Sequence, residues 1–182
     1  MATALLIIDM QNLFLPMTGG TIIPNIKSLI SHFRSRSLSC IFTQHGHSEA
    51  ELTPPFKNQL VRKWGPDDSV KVGTDDWQLI PEIAAQVSSS PVVGKNTYDT
   101  FINTKLANIL QEQRVERVVV VGVMTDCCCD TTARSAFNRG YETWVLEDAC
   151  GSANKRQHQA GLRGFEFGFG EVVKTQEVLD RI

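Results

Sequence analysis

A chain of 182 residues, 42% hydrophobic and 21% charged, is long enough to bury one core, and nothing in its composition calls for a second domain. A net charge of -2 without any basic run argues against nucleic acid as a partner. No apolar stretch reaches the length of a bilayer span. The first residues lack the cationic start of a signal peptide, and Asp9 interrupts the apolar run after Ala4. Five cysteines, three of them adjacent, make no disulfide framework, because neighbours are badly placed to bridge and an odd number leaves one thiol free. The expectation is a single-domain protein of the reducing cytoplasm, away from membranes.

In chain order, Ala4 to Ile8 is a continuous apolar run closed by Asp9, the pattern of a strand buried on both faces. Ile26, Leu29, Ile30 and Phe33 recur at helical spacing over residues 25–33. Cys40 to Thr43 reads as a second strand, and residues 48–90, without a clear period, as a long excursion over the active-site end rather than a separate domain. Val92-Val93 before Gly94-Lys95 is a short third strand, and Phe101 to Leu110 a helix with Phe101, Leu106, Ile109 and Leu110 in the core. Val115 to Val121 is the clearest strand of all. After it, Cys129, Ala133, Ala136 and Phe137 mark one face of a helix that ends at Gly140. Thr143 to Leu146 is a fifth strand, the glycine-rich residues 161–170 pack closely or meet another subunit, and Glu171 to Val173 is a sixth strand. Strands alternating with helices predict a three-layer α/β/α sandwich around a mostly parallel sheet of about six strands. Ligands of such sheets bind beyond the carboxyl ends of the strands, where the strand order reverses. Asp9, Lys95 and Cys128 each follow a strand end, so all three project to that edge.

The chemistry follows from that edge. Val118 to Val123 is a buried strand that feeds Met124-Thr125-Asp126-Cys127-Cys128-Cys129, with the thiols at the start of a helix. The partial positive charge of a helix N-terminus stabilises a thiolate and lowers a cysteine's pKa, so a cysteine placed there is a candidate nucleophile. Asp9 can take its proton and Lys95 can stabilise the negative charge. The thiolate would attack an amide-like carbonyl, and backbone N–H groups of the turn would receive the oxyanion. Water activated by Asp9 would then cleave the thioester.

Ile7-Ile8-Asp9-Met10-Gln11-Asn12, Gly94-Lys95 and Gly122-Val123-Met124-Thr125-Asp126-Cys127-Cys128 resemble the three signatures of isochorismatase-like cysteine hydrolases, a family that includes nicotinamidases and carbamoylsarcosine amidohydrolases. Thr132-Ala133-Arg134 and Asp148-Ala149-Cys150-Gly151-Ser152 extend the resemblance through most of the chain. It implies Cys128, rather than Cys127 or Cys129, as nucleophile, with Asp9 as base and Lys95 as electrostatic partner. It also implies a cis Val123–Met124 peptide, an oxyanion hole from the Met124 and Cys128 amides, and a homo-oligomer acting on a small molecule without an organic cofactor. Isochorismate hydrolysis to pyruvate and a dihydroxybenzoate is the rival activity. A non-catalytic redox sensor using the vicinal thiols is the rival of another class, but it leaves Asp9 and Lys95 unexplained.

Around these three, Phe14, Gln44, His45, His47, Trp64 and Cys127 are candidates for the substrate pocket. Cys127 lines the pocket or simply packs. Cys129 falls on the apolar helix face, and Cys40 and Cys150 read as structural. Nicotinamidases carry an aspartate and several histidines for a divalent metal near His45 and His47. Here His45 stands at the aspartate's position and no further histidine follows before His158. Two nitrogen donors make a poor site, so the pair is read as pocket lining and a metal as the lesser alternative. His158 is read as a helix-face residue.

Overall fold

The computed structural model describes residues 1–182. Six strands, β1 (Thr3–Ile8), β2 (Ser39–His45), β3 (Val92–Lys95), β4 (Arg117–Val123), β5 (Glu142–Gly151) and β6 (Glu171–Val173), form one sheet in the order β3-β2-β1-β4-β5-β6. Every pairing is parallel. The chain builds outward from β1 in one direction and from β4 in the other, so the strand order reverses between them. Period-2 alternation along β1 feeds two cores. Leu5 and Ile7 join α1 (Gly19–Ser35) on one face, while Ala4, Leu6 and Ile8 join α4 (Leu106–Glu112), α5 (Asp130–Asn138) and α6 (Lys155–Gly168) on the other. The result is the three-layer sandwich. No helix is long and apolar enough to cross a membrane.

Several elements differ from the sequence reading, each for a local reason. α1 begins at Gly19, not residue 25, so Pro24 lies inside it and leaves one backbone carbonyl of the first turn without its donor. The helix expected from Phe101 starts at Leu106. Asp99 accepts the Phe101 N–H at 2.8 Å, and the Thr104 hydroxyl binds the Thr100 carbonyl, so side chains capture the backbone that a helix needs. Phe101, Leu106 and Leu110 still reach the core. Cys129, Ala133 and Ala136 are buried as the helix face requires, but Phe137 is 41% exposed and meets Phe169 edge to face. β5 runs on to Gly151 past the acidic pair Glu147-Asp148, where the Asp148 carboxylate receives the Thr175 N–H and hydroxyl.

The excursion over residues 48–90 carries α2 (Gln59–Trp64) and α3 (Pro81–Ala84) and is pinned to the body. Ile80 and Ile83 enter the core, the Ile80 N–H binds the Met10 carbonyl at 2.9 Å, and Leu79 bridges Gln11. Gly122 (φ 116) has no room for a side chain, since a Cβ there would lie 2.1 Å from the Ile8 carbonyl oxygen. This close approach draws the end of β4 against the end of β1. In the glycine-rich segment, Gly161 of α6 lies against the Asp126 backbone, where a Cβ would meet the Asp126 Cα at 2.9 Å. These contacts set the turn after β4.

Candidate active site

Asp9 leaves β1 with φ 47, a left-handed conformation that aspartate tolerates, and its carboxylate turns toward β2 and β3. One oxygen receives the Thr43 hydroxyl at 2.5 Å, and the Asp9 N–H donates to that same hydroxyl oxygen at 3.0 Å. The other oxygen receives the Lys95 ammonium at 2.6 Å. Lys95 closes β3, two strands away, and its side chain crosses beside β2 to reach the site. Its Nζ spends all three protons, on Asp9, on the Thr97 carbonyl at 3.0 Å and on Cys128 Sγ at 3.3 Å. The three side chains expected at this edge are thus in direct contact.

Cys128 belongs to a single π-helical turn, Thr125–Cys129, that joins β4 to α5. The Val123–Met124 peptide before it is cis. The Met124 carbonyl receives the Cys127 and Cys129 N–H groups at 3.1 Å, which closes the turn. Side chains hold it from outside. The Asp126 carboxylate receives the Ser152 hydroxyl and the Gln157 amide, and the Thr125 hydroxyl meets His158 Nδ1 at 2.8 Å. His158, read as a helix-face residue, therefore has a specific partner.

The electrostatics correct one expectation. Burial pushes the Cys128 thiol up, and the Asp9 carboxylate adds to this, so the opposing Lys95 ammonium does not bring it below the ordinary thiol value. A helix start favours the thiolate only where the thiol keeps its solvent, and this one is buried. For Asp9, burial pushes upward, but the Lys95 ammonium and the hydrogen bonds from Lys95 and Thr43 hold the carboxyl below the usual range. Burial works to lower the Lys95 pKa, yet Asp9 and Cys128 raise it above that of a free lysine. The resting site is carboxylate, ammonium and thiol.

A cavity of about 310 Å³ opens over Cys128. Phe14, His45, His47 and Trp64 line it, together with Met124 and Cys128. Gln44 and Cys127 do not. Alternation along β2 sends Thr43 and His45 to the site and Gln44 to the other face, where its amide binds the Trp77 carbonyl at 3.2 Å. Cys127 packs against Tyr98, its thiol pushed up to about 11 by burial and then by Asp126. Sequence reading missed the walls from Leu60, Val70, Tyr98 and Ala153. It also missed Thr43, which only the β1–β2 register brings beside Asp9. Asp68 is the one charged side chain on the lining, since both imidazoles are neutral.

His45 and His47 supply two nitrogen donors, which by themselves leave a divalent-metal site incomplete. Burial, then Lys95, lowers the His45 pKa from 6.5 to about 4, and burial lowers that of His47. Their rings meet edge to face at 4.9 Å, and neither Nδ1 has a partner. No cluster of three His, Cys, Asp or Glu side chains surrounds them. Glu51, 3.7 Å from His47 Nδ1, is committed instead to Ser48, Asn58 and Asn96.

Residues 3–177 match the family model described as an isochorismatase domain. Nicotinamidase 3 of Arabidopsis thaliana is 38% identical over 96% of this chain and 86% of its own length. A cysteine hydrolase from Pseudomonas syringae pv. phaseolicola 1448A superposes with a TM-score of 0.87 at 26% identity, covering 99% of this chain and 92% of that one. N-carbamoylsarcosine amidase from Thermoplasma acidophilum superposes at 0.76 with 25% identity, covering 96% and 97%.

Proposed function

The chain belongs to the isochorismatase family of hydrolases, and on that premise we propose that it hydrolyses small uncharged carboxamides through a thioester on Cys128. The observation that carries this reading is the contact of Asp9, Lys95 and Cys128 beneath an apolar cavity whose lining offers no free cation. The Asp9 carboxylate takes the Cys128 proton as sulfur attacks the carbonyl carbon. Lys95 stays protonated and attracts the new thiolate, and the Met124 and Cys128 amides receive the oxyanion. The intermediate collapses as Asp9 returns the proton to the leaving nitrogen, releasing ammonia or an amine. Asp9 then deprotonates water, which attacks the thioester to yield the carboxylic acid and the free thiol.

Charge selects among substrates. Isochorismate carries two carboxylates and carbamoylsarcosine carries one, and a buried carboxylate needs a cationic partner. The Lys95 ammonium is fully committed, and Asp68 on the rim repels anions. Both substrates are therefore disfavoured here. The Arabidopsis relative is a nicotinamidase, and nicotinamide is an uncharged planar carboxamide, which makes it the first compound to assay. The site needs no metal or organic cofactor for these steps. Ammonia release from nicotinamide and benzamide, lost by more than about 10³-fold in Cys128→Ala, tests the reading. Trapping the acyl group on Cys128 with hydroxylamine tests the covalent step. Turnover surviving in Cys128→Ala would overturn it. A homo-oligomer remains part of the proposal, and light scattering after gel filtration decides it.

A further inference from the structure

Thr125 is 1% exposed, and its hydroxyl has a single hydrogen-bond partner, Nδ1 of His158 at 2.8 Å. A buried hydroxyl proton needs an acceptor. Nδ1 is the acceptor the structure places beside it, which assigns the imidazole proton to Nε2. Protonating the ring would put a proton on Nδ1 as well. The Thr125 hydroxyl would then have to accept, and its own proton would be stranded beside the turn. This turn is the one that presents Met124 and Cys128, and the Met124 N–H makes no backbone hydrogen bond of its own. α6 reaches the turn at three successive points, through Gln157, His158 and Gly161.

We propose that His158 is a positioning residue. Its neutral ring, acting through the Thr125 hydroxyl, locks the Met124–Cys128 turn in the reactive geometry, and protonation of the ring releases the lock. The inference rests on the proposed hydrolase reading for its effect on turnover, but not for the tautomer it requires. The charged groups that act on the ring are Glu147 of β5 and Asp126 of the turn itself. Both favour the imidazolium, and burial outweighs them, which keeps the ring neutral at neutral pH.

Nitrogen-15 NMR of the histidine rings at pH 7.5 tests the tautomer directly, with His158→Asn used to assign the signal. An Nε2–H tautomer is expected, and an Nδ1–H tautomer overturns the proposal. Steady-state kinetics on nicotinamide test the consequence. His158→Phe and Thr125→Val should each lower kcat about 10-fold with KM unchanged, and the double variant should be no worse than either, because both break one contact. His158→Asn places an amide oxygen where Nδ1 lies but cannot titrate. It should restore most of kcat and remove the part of the acid limb that His158 supplies. Equal losses in His158→Asn and His158→Phe, or additive losses in the double variant, would leave a merely structural role and overturn the proposal. If the wild type turns over no amide, the hydrolase reading fails. The rate of Cys128 alkylation by iodoacetamide, measured in the same variants, then decides the positioning role with the same expected order.

Discussion

At the scale of residues, the site is one buried ion pair with a thiol laid against it. Removing one member of such a pair leaves an uncompensated charge, which costs about 3–5 kcal/mol. Lys95→Met should lose that much stability in urea titrations, and Asp9→Asn combined with Lys95→Met should recover most of it. The two partners also pull on the thiol in opposite directions. Asp9→Asn should shift the pH profile of Cys128 alkylation to lower pH and Lys95→Ala to higher pH, as mass spectrometry of iodoacetamide adducts would reveal. A shift in the same direction for both would contradict the assigned charges. Asp9, Lys95 and Cys128 were legible in the sequence because each follows a predicted strand and falls within one of the three motifs that resemble the family's signatures. Thr43 and His158 were not. Their partners lie 34 and 33 residues away, and nothing in a threonine or a histidine alone announces a hydrogen bond across the fold.

At the scale of elements, two junctions control the site. Gly122 lets the end of β4 press on Ile8, next to Asp9, and a methyl group there would strike the Ile8 carbonyl. Gly122→Ala should cost about 1–3 kcal/mol from overpacking and lower kcat by moving Asp9 relative to Cys128, read by urea titration and steady-state kinetics together. The other junction is Glu51, which ties the start of the excursion to Asn58, the N-cap of α2, and to Asn96 beside Lys95. Burial raises its pKa, but the hydrogen bonds from the Ser48 N–H, Asn58 and Asn96 win and depress it from 4.5 to about 2. The depressed value means that the stabilisation is fully present above pH 4.5 and is lost as pH falls through 2. Glu51→Gln should therefore be less stable than wild type at pH 7, with the gap closing toward pH 2 in denaturant titrations. The alternating strands and helices were legible because apolar periodicity is a local property. The course of the excursion over the active edge was legible as well, but its internal order was not, since it is held by bonds such as those of Glu51, which carry no period.

At the scale of the whole molecule, the parallel order that reverses between β1 and β4 gathers residues 9, 95 and 128 at one edge, and the excursion roofs that edge with apolar side chains. The fold thereby buries all three side chains. One feature of those groups reaches further than their geometry. Carboxylate, ammonium and thiol sum to zero, and after the proton moves, carboxylic acid, ammonium and thiolate also sum to zero. In the proposed mechanism the unit therefore keeps the same net charge through its first step, and the surrounding apolar medium never has to host a new one. With an uncharged substrate, nothing in binding or attack calls on mobile ions from bulk solution. Shielding by sodium chloride contracts to a Debye length of about 3 Å at 1 M, but it finds no long-range attraction here to weaken. Values of kcat/KM for an uncharged amide should stay within about twofold from 0.01 M to 1 M salt. An enzyme of this design would run equally well in dilute and in saline surroundings.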